Sequence, residues 1–151
     1  MRTTFALLAI VSWICVLGCE VGPKSSKGFT LPDGSITQGK TEFVAFRCYD
    51  CHSVTGVELP ERRESEQTIV ALGGKVSRIK TYGELVTSII NPSHRLATGF
   101  VPGVIAEEGE SKMTNYNDAM TVRQLIDLVA FLQSHYELRE YEPTHYPPYS
   151  Y

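Results

Sequence analysis

The chain has 151 residues and carries 17 acidic against 14 basic side chains, a formal net charge of −3 with neutral histidines. A length of this order accommodates one domain with a modest core, and the mild acidic balance points away from nucleic acid as a partner. The same balance is compatible with docking on a basic protein face and equally with ordinary solubility.

Residues 1–18 read as an export leader. Arg2 supplies the positive end, and Phe5-Ala6-Leu7-Leu8-Ala9-Ile10-Val11 with Trp13-Ile14-Cys15-Val16-Leu17 supplies an apolar run too short to span a bilayer comfortably. The run ends in Val16-Leu17-Gly18-Cys19, which resembles the bacterial lipobox, where a small residue precedes a cysteine that is acylated and becomes the mature N-terminus. The resemblance implies a lipid on Cys19 and a lipoprotein on the periplasmic side of a bacterial membrane. An uncleaved anchor is the alternative, and either places the remaining chain on the outer side of a membrane. Removal of 18 residues leaves 133, with 13 basic and 17 acidic side chains and a net charge of −4. Residues 19–36 lack periodicity and are rich in small and polar residues around Gly22-Pro23-Lys24-Ser25-Ser26-Lys27-Gly28. They predict a flexible tether that separates domain from bilayer by roughly 20 Å.

A folded domain is expected over 37–136. Phe43, Val44 and Phe46 give an apolar helical face that runs into Cys48-Tyr49-Asp50-Cys51-His52. Two thiols three positions apart can each add to a vinyl group of haem, and the adjacent histidine then lies beneath the iron as its proximal ligand. A Cys-x-x-Cys pair also serves as a redox disulfide or as half of a zinc site. The first would call for a βαβ pattern around it and the second for another ligand pair at finger-like spacing, and the sequence has neither. Of four cysteines, Cys15 leaves with the leader, Cys19 takes lipid, and Cys48 and Cys51 take haem, so no thiol remains for a disulfide framework.

Residues 53–74, with Gly56, Pro60, Gly73 and Gly74, read as loop with at most a short helical turn. Thr81-Tyr82-Gly83-Glu84 has the form of a capping box; Leu85, Val86, Ile89 and Ile90 follow on one helical face until Asn91-Pro92 stops it. A glycine-containing loop from Ala97 to Lys112, with acidic Glu107, Glu108 and Glu110, delivers Met113. Thr121-Val122-Arg123-Gln124 is a second capping box, and Leu125, Leu128, Val129 and Leu132 keep helical spacing to about Tyr136. Residues 137–151 change character, with Pro143, Pro147 and Pro148 among Tyr141, Tyr146, Tyr149 and Tyr151. They predict an extended arm that either docks on a partner or stays solvated.

From Thr37 to Tyr136 these parts occur in the order of the class I c-type cytochromes, which the chain resembles. The resemblance implies an all-α fold, three main helices and loops wrapped around one covalently bound haem c. In it, Gly39 and Phe43 let the last helix cross tightly over the first, and Leu128, Phe131 and Leu132 pack on the cofactor. Pro60 is expected to offer its carbonyl to the free nitrogen of His52. Two methionines and His94 compete for the other face of the iron. The resemblance selects Met113, 61 positions after His52 in the phrase Met113-Thr114-Asn115-Tyr116, and leaves Met120 to core packing. Arg78, Lys80 and Tyr82 are candidates for the haem propionates.

The function these features imply is a membrane-tethered mono-haem cytochrome c that passes single electrons between a redox donor and an acceptor, with no substrate turnover of its own. The alternatives are a permanent haem subunit of a larger dehydrogenase or quinol-oxidising membrane complex, and a haem enzyme or gas sensor with an open sixth iron position.

Overall fold

A computed structural model describes residues 28–63, 70–101 and 103–141. The expected leader, Cys19 and the end of the C-terminal arm lie outside them, as does half of the tether. The chain divides into two units, Met1–Thr30 and Leu31–Tyr151, and every element below belongs to the second.

Three α-helices carry the core: α1 (Ile36–Ala45), α2 (Tyr82–Ile90) and α3 (Val122–Gln133). Ser35 caps α1, its Oγ accepting from Gln38 N–H at 3.2 Å, while its own N–H donates to Asp127 Oδ1 at 2.7 Å and so ties the start of α1 to α3. Both expected capping boxes form. Thr81 Oγ1 accepts from Glu84 N–H and Thr121 Oγ1 from Gln124 N–H, with each N3 side chain reaching back to the cap N–H. Apolar residues at helical spacing then turn inward: Phe43 from α1; Leu85, Val86 and Ile89 from α2; Leu128, Val129, Phe131 and Leu132 from α3. Ile90, expected on the same face as Ile89, is 41% exposed.

α1 and α3 cross at Gly39. A Cβ there would stand 2.5 Å from Phe131 Cβ and overlap the Asp127 carbonyl oxygen, so only a bare backbone allows this approach. One turn on, Phe43 meets Phe131 with ring centroids 5.6 Å apart at 58°, a tilted pair that fills the crossing.

The expectation of an all-α domain is overturned. Among the described residues the chain also forms six short strands in three two-stranded sheets, which makes the content mixed. β1 (His52–Val54) pairs in parallel with β2 (Val70–Leu72), in register His52 to Val70. β3 (Gly74–Val76) pairs in parallel with β6 (Tyr136–Leu138), and β4 (Ala106–Glu107) pairs antiparallel with β5 (Glu110–Ser111). Residues 53–74, expected as loop, thus contribute most of β1, all of β2 and the start of β3. The closing helix stops at Gln133 rather than near Tyr136, because Tyr136 leaves to pair with Gly74. Strands of two or three residues contain too little alternation to show in a sequence, and long-range hydrogen bonds decide them. The Gly73-Gly74 step, with φ of 78° at both residues, lets β3 leave β2 while Gly74 N–H donates to the His135 carbonyl at 2.8 Å. No helix among the described residues is long and apolar enough to cross a membrane.

Glu84 does more than cap. Its carboxylate accepts two hydrogen bonds from Arg78 at 2.8 and 2.7 Å and one from Thr81 N–H at 3.0 Å, and Arg95 lies 3.4 Å away. The Arg78 guanidinium, and after it the Thr81 N–H, hold that carboxyl far below the usual carboxylate range. A depressed folded-state value means the carboxylate stabilises the fold above the unfolded value of about 4.5. That contribution is lost as pH falls through the folded value. Melting temperature measured against pH should therefore drop between about pH 4.5 and pH 2 in the wild type, and Glu84→Gln should flatten that limb while keeping an N3 cap of the kind Gln124 provides. Equal acid slopes in the two proteins would remove Glu84 as a source of acid sensitivity.

Candidate functional site

The site begins where α1 ends. Arg47 leaves the helix in the left-handed region, at φ 56°, and a 3₁₀ turn η1 (Cys48–Asp50) follows. A non-glycine residue in that region needs outside support. Asp50 gives it: Arg47 Nε and Nη2 donate to its two carboxylate oxygens at 2.9 and 3.1 Å, Arg63 Nε stands 3.4 Å away, and the Arg47 guanidinium lies 5.4 Å from the centre of the Tyr49 ring. The Arg47 hydrogen bonds hold the Asp50 carboxyl below its usual range, so it stays an acceptor. Tyr49 and Asp50 are buried. The two residues between the cysteines thus anchor the turn, with Cys48 left half-buried and Cys51 exposed. Burial pushes the Cys48 thiol up to about 11, so it is a thiol and not a thiolate at neutral pH.

His52 opens β1. Its Nδ1 is 3.1 Å from the Val70 carbonyl oxygen. A carbonyl only accepts, so Nδ1 carries the proton and the Nε2 lone pair is left available for a metal. Burial holds His52 below its ordinary value, which keeps the imidazole neutral at pH 7. The carbonyl expected from Pro60 comes instead from Val70, because the parallel β1–β2 pairing sets Val70 opposite His52. Pro60 is exposed and borders a wider, open concavity with His52, Arg62 and Arg63, which neither Cys48 nor Met113 lines.

A second, more enclosed cavity brings distant residues together. Cys48, His52 and Met113 all line it, within a wall that includes Phe43, Leu72, Leu85, Ile89, Leu128 and Leu132. Tyr116 and Ser88 also line it, and their hydroxyls are engaged elsewhere, Tyr116 donating to the Phe46 carbonyl and Ser88 to the Glu84 carbonyl, both at 2.8 Å. The wall is therefore apolar in effect, with Lys80 as its cationic side chain.

Comparison with family models, with curated proteins and with solved structures finds no match. The reading of the site therefore rests on its own chemistry.

The donors present fit a covalently held haem. A neutral imidazole with a fixed tautomer, a soft thioether, one thiol on the wall with a second on the same turn, and an apolar enclosure are compatible with such a group. Met120 lines the cavity as well, whereas His94 does not. His94 is exposed at the turn after α2, with Nδ1 2.8 Å from the Asn91 carbonyl. Cys51 shares the turn of Cys48 but is not on the cavity wall. Of the three propionate candidates, Lys80 lines the cavity, Arg78 is paired with Glu84, and Tyr82 packs against the core. Among the described residues no three or more of His, Cys, Asp and Glu gather in one place, so the half-zinc alternative finds no second ligand pair there. Sequence reasoning missed Val70; the apolar Val70-Ala71-Leu72 before two glycines was its only signal.

Proposed function

We propose that this chain is a c-type, single-haem electron carrier, tethered by lipid on Cys19 to the periplasmic side of a bacterial membrane. The observation that supports this most is the single apolar cavity lined together by Cys48, His52 and Met113. Cys48 and Cys51 would each add S–H across a vinyl group to give a thioether, and His52 and Met113 would hold the iron. The group supplies an iron that changes oxidation state by one electron. His52 is kept neutral by burial and aimed by the Val70 carbonyl, so it binds without first losing a proton. Met113 supplies a neutral, soft donor, which favours the reduced state and raises the potential. Leu85, Ile89, Leu128 and Leu132 exclude water. Donor and acceptor proteins would dock weakly and briefly over a small interface.

Expression in a host competent for c-type maturation tests this. Purified wild type should be red and heavier than the polypeptide beginning at Cys19 by acyl groups and one haem. Cys48→Ala with Cys51→Ala should lose the haem mass, and Cys19→Ser the acyl mass. A colourless wild type that weighs no more than polypeptide plus acyl groups overturns the proposal.

A further inference from the structure

Met113 is bracketed by two hydrogen bonds that run to one place. Before it, the Ser111 backbone N–H donates to Ser93 Oγ at 3.0 Å; after it, Asn117 Nδ2 donates to the Ile90 carbonyl at 2.9 Å. Ile90 is the last residue of α2, and Ser93 lies in the 3₁₀ turn η2 (Pro92–His94) directly behind it. Ser111 also turns its own hydroxyl back to accept from Met113 N–H at 3.2 Å. Lys112 N–H still donates to the Ile105 carbonyl at 2.9 Å, extending the β4–β5 pairing by one bond, but no helix or strand spans the chain from Met113 to the start of α3 at Val122, so regular backbone pairing does not fix the height of Met113 itself. Tyr116 adds a separate tie, to the end of α1. The two ties to α2 matter differently, because α2 supplies Leu85 and Ile89 to the wall that Met113 also lines.

We propose that Ser93 and Asn117 are positioning residues that set how firmly Met113 is presented to the cavity, and hence how well it keeps a competing small nitrogen ligand off the iron. The inference rests on the haem reading above. A methionine released for a small fraction of the time lets a competitor in only for that fraction, so its apparent affinity reports the presentation directly. Losing one such hydrogen bond shifts that balance by about fivefold, and losing both by about 25-fold where the two act independently.

The ferric mature protein is titrated with imidazole and followed by absorption, in wild type, Ser93→Ala, Asn117→Ala and their combination, and again with Met113→Ala added to each. Imidazole should bind about fivefold tighter to each single variant, and the difference should vanish once Met113 is alanine. Amide hydrogen exchange at residues 111–113 should quicken in Ser93→Ala and return towards wild type in Ser93→Thr, which keeps the hydroxyl. Wild-type imidazole affinity in both single variants overturns the inference. So does tightening of the same size without Met113, which would mark a general loosening of the fold. A wild-type spectrum lacking a methionine–iron band sinks instead the axial assignment on which the inference stands, and the exchange measurement still decides whether Ser93 holds the segment.

Discussion

Gly39→Ala should lower the melting temperature of the mature protein by about 10 °C or more. Two effects oppose each other at this position. Alanine is the better helix former, by roughly 1 kcal/mol. Its Cβ, however, would lie 2.5 Å from Phe131 Cβ and overlap the Asp127 carbonyl oxygen, and neither is the far end of a flexible side chain. Relieving such an overlap at a packed crossing costs about 1–3 kcal/mol or more, and here two helices must separate along the Phe43–Phe131 contact. Because the overlap is with backbone on one side and a Cβ on the other, the cost falls at the upper end of that range, and the net loss of about 2 kcal/mol corresponds to roughly 10 °C in a domain of about a hundred residues. Gly83→Ala in α2 is the matched control. A Cβ there meets only Thr81 Oγ1 at 3.9 Å, an ordinary contact, so the propensity gain stands alone and the melting temperature should rise slightly. Thermal unfolding followed by circular dichroism checks both. A Gly39→Ala protein that melts at or above the wild type would show that the helices have room to spare.

On the proposed haem reading, Met113→His should lower the midpoint potential by on the order of 0.1–0.3 V and abolish the methionine–iron absorption band, since a second imidazole would replace the soft thioether. Met120→Leu and His94→Gln should leave both nearly unchanged. Met120 shares the cavity wall and is the serious competitor, whereas His94 lies off the cavity at the turn after α2. Redox titration of the four proteins separates the candidates. Loss of the band in Met120→Leu, with Met113→His retaining it, would move the axial role to Met120.

The helices were the readable part of this chain. Thr81 with Glu84 and Thr121 with Gln124 announce their starts chemically, and the apolar spacings behind them select the faces that are buried. Gly39 was legible only through the resemblance, which implied the close crossing that a Cβ at this position would block. What stayed hidden depends on partners far along the chain. Apart from the apolar run of Val70-Ala71-Leu72 before two glycines, little local in these residues or in Tyr136-Glu137-Leu138 distinguishes a strand from a loop, and it took the parallel registers with His52 and Gly74 to define them. The all-α expectation failed there, and with it the assignment of the His52 hydrogen bond to Pro60. Cys48, His52 and Met113 were named from motif and order. Their meeting in one cavity, and the ties from Ser93 and Asn117, are facts of packing that no window of sequence contains.

The two parallel pairings also impose an order of assembly. His52 and Val70 are near neighbours along the chain, so their pairing closes a short loop, whereas Gly74 must wait for Tyr136, beyond the last helix. Closing the longer loop is slower, and its contacts compensate only once α3 has docked. On the proposed export, a chain delivered N-terminus first would have the Cys48-to-His52 turn and its Val70 partner in place early, while the side that carries Met113 and the final strand is still open. On the proposed haem reading, that interval is when Cys48, half-buried once the fold is complete, would be most open to a maturation machinery, whereas Cys51 stays exposed throughout.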